Sequence, residues 1–328
     1  MTDQSSKISS DTVRTESQQD LLQFLADEGV DRAMLDEVRA FRERFPVQDP
    51  ALAHRIPVPD CFYYGKDVWE EALAALLAGK NLLLSGPKAT GKNVLADCLC
   101  SLFARPSWNI SFHIGTDAAW LIGADSFDGE CVVFRPGPVW LCANHGGFGI
   151  LDEVNMAKNE SLAVLHSALD HRRMIDVPGY EKIDVHPAAR FIGTMNYGYA
   201  GTRELNEALS SRFTILNMPP IAEADLDRLI ARRFPALREK IRGQFVKLFL
   251  EIEKKAESSE ISERALDLRG ILDAISLAQQ GLPAGKAVEM CVVNKVFDAY
   301  ERTLVRDTVQ ARIPAELGRA EMFGDGRP

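Results

Sequence analysis

The chain has 328 residues and carries 38 Lys and Arg against 47 Asp and Glu, a net charge of −9. With 46% hydrophobic and 26% charged residues it has the balance of a soluble globular protein, long enough for two domains and a sizeable core. More than half of the acid excess lies in the first fifty residues, where six basic side chains meet eleven acidic ones. That balance argues against a nucleic-acid partner, which selects a basic surface. No apolar run approaches the roughly 18–20 residues of a membrane span. The polar stretch Met1 to Ser10 lacks the apolar region of a secretory signal, so a cytoplasmic location is expected. The six cysteines form no CxxC pair and read as reduced thiols, several of them buried. No HExxH occurs, and His166 and His171 are five apart, so any metal is expected to arrive with a ligand.

In chain order, residues 1–19 are rich in Ser, Thr, Gln and Asp and read as disordered. From Gln19 to Phe45 the pattern predicts one amphipathic helix, with Met34, Val38, Phe41 and Phe45 on its apolar face. Pro46, Pro50, Pro57 and Pro59 then mark an extended connector. Trp69, Ala72, Leu73 and Leu76 make a helical stripe that Gly79 ends. Short apolar runs follow at 82–84, 108–113, 148–151, 191–194 and 213–216, with the helical stripes Leu95/Cys98/Leu99/Leu102 and Leu162/Leu165/Leu169 between them. Such alternation predicts a five-stranded parallel sheet covered by helices. From Ala222 to about Arg312 no strand signal remains, and four helices are expected, broken at Pro235, Ser258-Ser259 and Gly281-Leu282-Pro283. The expected organisation is an acidic N-terminal arm over 1–50, an α/β domain over 51–219 and a helical domain with a tail over 220–328.

Chemistry concentrates in Gly86-Pro87-Lys88-Ala89-Thr90-Gly91-Lys92-Asn93, a GxxxxGK loop after an apolar strand, with a helix expected to open at Val94. Glycines let the backbone curl around a phosphate, the helix start supplies N–H groups, and Lys92 lies against the outer phosphates. Asn93 stands where Ser or Thr would put a hydroxyl on Mg²⁺; an amide oxygen can ligate the ion with poorer geometry. Gly149-Ile150-Leu151-Asp152-Glu153 is an apolar strand ending in two carboxylates. There Asp152 would hold Mg²⁺ and Glu153 would deprotonate the attacking water. Asn196 ends the next strand, where its amide can position water or serve as a turn residue.

These motifs, in this order and followed by Ser211-Arg212-Phe213, resemble an AAA+ ATPase, and within that superfamily the MoxR type with the CbbQ/NorQ and GvpN branch. Supporting stretches are Phe134-Arg135-Pro136-Gly137-Pro138, Asp152-Glu153-Val154-Asn155 and Gly201-Thr202. The resemblance covers about three-quarters of the chain, from Ile56 to Arg306. It implies a P-loop NTPase fold with a helical lid, ATP and Mg²⁺ as cofactors, and a homo-oligomeric ring, expected to be a hexamer. It also implies a protein client or a partner with a von Willebrand factor A domain. Arg212 matches the arginine finger that acts in trans, and Asn196 matches sensor 1. Arg269, in Asp267-Leu268-Arg269, matches sensor 2, with Arg264 the competing choice. Phe127-Asp128-Gly129-Glu130 resembles the turn of a hairpin inserted in helix 2, and Trp120 to Gly123 a pore-facing loop or ordinary core. Asn93 leaves one alternative open, a nucleotide-gated scaffold that binds ATP and hydrolyses it poorly.

Overall fold

All five apolar runs pair into one parallel sheet in the computed structural model, which describes residues 18–177, 179–196 and 205–323. Numbered in chain order, β1 is Leu82–Gly86, β2 Ser107–Ser111, β3 Gly123–Phe127, β4 Val132–Pro136 and β5 Phe148–Asp152. Then come β6 Met174–Ile175, β7 Ile183–Asp184, β8 Arg190–Asn196 and β9 Thr214–Asn217. The sheet order is β2-β5-β8-β1-β9, every pairing parallel. Parallel strands need crossovers, which cover both faces, so the central strands β1, β5 and β8 are buried along most of their length, while the edge strands β2 and β9 are partly exposed. Leu82, Leu83, Leu84, Ile150, Leu151, Phe191 and Ile192 are all 3% exposed or less. The expected stripes bury as written: Trp69, Ala72, Leu73 and Leu76 on the helix Lys66–Leu77, and Leu95, Cys98, Leu99 and Leu102 on Lys92–Leu102. The fold is therefore an α/β P-loop architecture followed by a helical region.

The Asp-Gly signal forms the antiparallel hairpin β3–β4. Asp128 accepts the N–H groups of Glu130 and Cys131 at 2.9 Å, closing the turn around Gly129 at φ +108°. Trp120, on the preceding short helix Ala118–Ile122, is half exposed, while Leu121 beside it is fully buried. A second hairpin, β6–β7, escapes sequence reading because two-residue strands are too short to show a period. Tyr180 in its connection donates to Asp125 Oδ1 at 2.6 Å and packs its ring 4.8 Å from that of Phe134.

The N-terminal segment differs from expectation. Residues 1–17 lie outside the described residues, while 18–19 are already helical. Two helices, 18–27 and Arg32–Arg44, replace the single one over 19–45. Gly29 sits at φ +77°, which ends the first, and the Asp31 carboxylate accepts the Ala33 N–H to start the second. Leu35 rather than Met34 joins Val38 and Phe41 on the buried face. A short helix, Pro50–Ala53, interrupts the connector. The segment is built into the body: Phe24 packs on Phe62 and Tyr64, and Phe41 on Phe103.

The chain divides into two compact units, the first running to Pro219 with Lys88–Thr90 excepted, the second comprising those residues and the chain from Pro220. Between Ala222 and Arg312 the second unit has five α-helices where four were expected, with Arg319–Phe323 beyond. The extra break falls between Ala284–Cys291 and Ala299–Arg312. Buried β-branched Val292, Val293 and Val296 pass through it, and Asp298 caps the new helix by accepting from Tyr300 and Glu301 at 2.9 Å. Cys98, Cys100 and Cys142 are buried thiols. Among the described residues no helix is long and apolar enough to cross a membrane.

Candidate nucleotide site

The loop after β1 turns through left-handed backbone at Ala89 (φ +62°) and Gly91 (φ +81°). Gly91 acts as the N-cap, so the helix opens at Lys92, two residues before the expected Val94. First-turn N–H groups with no helical carbonyl to bind, and the positive end of the helix dipole, make this start an anion cradle. Glycine at 91 also leaves room for Tyr63, whose ring a Cβ would meet at 3.2 Å, close enough that the ring would have to give slightly. Tyr63 is tied in turn by its carbonyl, which accepts from Trp69 Nε1 at 2.8 Å. Lys92 is 7% exposed, and its ammonium donates to the carbonyls of Gly86 (2.9 Å) and Pro87 (2.6 Å). Asn93, the next helical residue, is half-buried.

Sheet register brings the polar strand ends together. Gly86 of β1 lies opposite Asn196 of β8, and Leu151 of β5 opposite Gly193, so Asp152 and Asn196 share an edge with the loop. Thr194, 2% exposed, links the acids: its hydroxyl donates to Asp152 Oδ1 at 2.7 Å and accepts the Glu153 N–H at 3.1 Å. Glu153 is held at φ +54°, a left-handed conformation that costs a non-glycine residue about 1–2 kcal/mol. Asn196 Nδ2 donates to Glu153 Oε1 at 3.4 Å, and buried Asn155 donates to the Asn196 carbonyl at 3.1 Å. One carboxylate is thus fixed by a hydroxyl and the next turned toward an amide. Sequence reasoning missed Thr194 and Tyr63; the one usable signal was a polar residue inside the apolar run of β8. Residues 197–204, with Gly201-Thr202 of the resemblance, lie outside the described residues.

Arg212 stands elsewhere. It precedes β9, whose Thr214 pairs with Leu82 at the start of β1. Four strand residues, about 13 Å at 3.3 Å each, separate that level from Gly86. Its Nε donates to the His166 carbonyl at 3.2 Å, its Nη2 to Asp170 Oδ2 at 3.4 Å and its Nη1 to the Ala208 carbonyl. Among the described residues one N–H on each Nη is uncommitted. Arg172, 2.7 Å away, holds the Asp170 carboxyl well below the usual carboxylate range, and Arg212 adds to this. His166 is shifted toward its neutral form by burial and then by Arg212. Arg269 is the second residue of the helix Leu268–Gln279 in the C-terminal unit and is exposed. Arg264 is also exposed, its guanidinium 5.6 Å from the Phe297 ring.

The sequence pattern of the AAA domain (dynein-related subfamily) matches residues 81–213, from the start of β1 to the turn before β9. The uncharacterized protein YojN of Bacillus subtilis (strain 168) is 34% identical over 245 residues, 73% of this chain and 80% of its own. An uncharacterized protein of Staphylococcus epidermidis is 30% identical over 249 residues, 74% of this chain and 94% of its own. One from Staphylococcus saprophyticus is 29% identical over 256 residues, 76% and 97% of the two chains. With the AAA pattern spanning the loop, the paired acids and Arg212, and with YojN matched over most of both lengths, the chain belongs to the AAA+ ATPases.

Proposed function

We propose that the chain is a ring-forming, Mg²⁺-dependent ATPase of the MoxR type, near the CbbQ/NorQ and GvpN branch, that remodels or activates a partner protein. The observation that carries the ring is the position of Arg212. A cation fixed at the edge where strands begin cannot serve the carboxylates where they end, so its use for hydrolysis requires a second copy of the chain. A hexamer is the expected closure, and the client is a protein or a complex containing a von Willebrand factor A domain.

The residues fit ATP and Mg²⁺. The loop carries left-handed backbone at two positions and a buried ammonium bonded to neutral carbonyls, and two carboxylates stand at the same sheet edge. Mg²⁺-ATP brings the phosphoanhydride to be cleaved and a divalent charge on its outer oxygens. Gly86 to Val94 bind the phosphates, and Lys92 exchanges the Gly86 and Pro87 carbonyls for phosphate oxygens. Asn93 and Asp152 hold the metal, with Thr194 keeping Asp152 in one rotamer. Glu153 takes the proton of the attacking water while Asn196 orients both. Arg212 of a neighbouring copy stabilises the charge that develops on the transferred phosphoryl group, and Arg269 contributes from the helical unit.

Asn93 supports a second reading, a scaffold that binds ATP and hydrolyses it poorly because an amide replaces the usual hydroxyl. Steady-state ATPase rates of wild type and Glu153→Gln, measured at saturating Mg²⁺, separate the two. A wild-type rate at least about 100-fold above Glu153→Gln supports the motor. Equal, negligible rates leave the scaffold. Capture of partners on Glu153→Gln loaded with ATP tests the client.

A further inference from the structure

At the sheet edge away from the nucleotide loop, four arginines gather whose hydrogen bonds, among the described residues, reach no carboxylate. Arg105, just before β2, and Arg190, which opens β8, are 3% and 6% exposed. Their hydrogen bonds end on neutral carbonyls. Arg105 reaches Gly146 (2.7 Å), His145 (3.4 Å) and Phe45, while Arg190 reaches Leu76 (2.9 Å), Pro187 (2.7 Å) and Ala189 (2.8 Å). Arg173 likewise donates to the carbonyls of His186 and Ala189, both at 3.1 Å. Arg42 donates to the Leu102 carbonyl at 2.6 Å and keeps a buried Nη2 with no partner among the described residues. Asp170, three residues before Arg173, is bonded to Arg172 and Arg212 instead. Burial pushes the guanidinium groups of Arg42, Arg105 and Arg190 down to about 10, which leaves them charged at neutral pH. Carbonyl dipoles, several from helix C-termini, soften this field but do not cancel it. Buried charge without opposite charge costs several kcal/mol.

A cleft of about 220 Å³ lies beside this cluster, which reaches it through Arg105, and no acidic side chain lines it. Its polar lining is Arg44, Gln48, Arg105, His145 and His186. His186 Nδ1 accepts the Ala188 N–H at 3.0 Å, which assigns the ring proton to Nε2 and makes that atom a donor. Among the described residues Arg105 retains one N–H on each Nη, and Arg44 has no ion pair. The lining therefore offers planar and ring donors, in a net-negative chain, with nothing anionic to accept them. We propose that this cleft is a binding site for a phosphate-sized oxyanion, either free or as the terminal phosphate of a small ester. Guanidinium forks and imidazole N–H groups match the oxygens of a tetrahedral anion, and its charge supplies what the cluster lacks. The site is separate from the nucleotide loop: Arg105 stands where β2 begins, whereas Asp152 stands where β5 ends.

The test uses the full chain carrying Lys92→Ala, so that the nucleotide loop does not take up phosphate itself. Calorimetric titration with inorganic phosphate is expected to show one saturable site with a dissociation constant below about 1 mM. Adding Arg44→Ala, an exposed position, is expected to weaken binding at least about tenfold, the loss of one charge-assisted pair, with the thermal midpoint without phosphate unchanged. Adding Gln48→Ala is expected to weaken it less. Titration with methyl phosphate distinguishes the sources: comparable affinity assigns a phosphate ester, and its failure to bind beside tight inorganic phosphate assigns the free anion. Absence of saturable binding in the Lys92→Ala chain, or binding that Arg44→Ala leaves intact, overturns the proposal.

Discussion

Thr194 is the residue on which the two carboxylates depend. Its single hydroxyl donates to one acid and accepts from the backbone of the other, so Thr194→Val removes both bonds while keeping the shape. Turnover is expected to fall about 10–100-fold, with a raised Mg²⁺ requirement, and Thr194→Ser is expected to restore most of it. Steady-state rates across a Mg²⁺ titration check this; a Val variant with wild-type Mg²⁺ dependence would remove Thr194 from the site. Asp170 acts on Arg212. Asp170→Asn is expected to lower kcat with the KM for ATP unchanged, because the lost charge loosens the guanidinium without touching the nucleotide loop. In Arg212→Ala, ATP binding is expected to persist while turnover drops about 1,000-fold or more. On the proposed trans arrangement, mixing those subunits with Glu153→Gln subunits is expected to recover part of the activity, because one would supply the base and the other the cation. Asp152, Glu153 and Asn196 were legible because their residue types end apolar runs in a known order. Thr194 was not, since a hydroxyl in a buried strand reads as an ordinary β-former, and 42 residues separate Asp170 from Arg212.

Elements were legible in proportion to how much of their environment repeats along the chain. The central strands β5, β8 and β1 are buried on both faces and show as apolar runs, while the edge strands β2 and β9, partly exposed, keep shorter ones. The hairpin β6–β7 pairs only two residues on each side and carries no period. The break between the helices 18–27 and Arg32–Arg44 was hidden for another reason: Leu21 and Leu25 before it and Leu35 and Val38 after it are all buried, so the apolar pattern continues across it. What decides the break is backbone freedom at Gly29, where a Cβ would meet nothing within 4 Å. Gly29→Ala therefore carries a purely conformational cost, about 1–2 kcal/mol of stability. Urea unfolding of the two chains measures it, and an unchanged midpoint would mean that the turn relaxes. The extra helix break before Asp298 has a different cause, a capping carboxylate that overrides a helical pattern.

For the whole molecule, the net charge of −9 hides a separation. Acid is concentrated near the N-terminus, while desolvated arginines line the edge where the strands begin. The proposed ring makes a prediction at this scale: with Mg²⁺-ATP, Glu153→Gln is expected to run as a closed multimer by light scattering, and Arg212→Ala to shift toward smaller species. A monomer under both conditions would remove the trans cation. The N-terminal helices also determine how this protein can be divided and recombined. Phe24 rests on Phe62 and Tyr64, Phe41 on Phe103, and Arg105 ties the Phe45 carbonyl to the body. Hence a transplant of residues 18–45 onto a relative succeeds only when the receiving surface travels with it. A shortened chain that starts after Phe45 bares three aromatic faces to water, and its expected fate is precipitation rather than a smaller working enzyme.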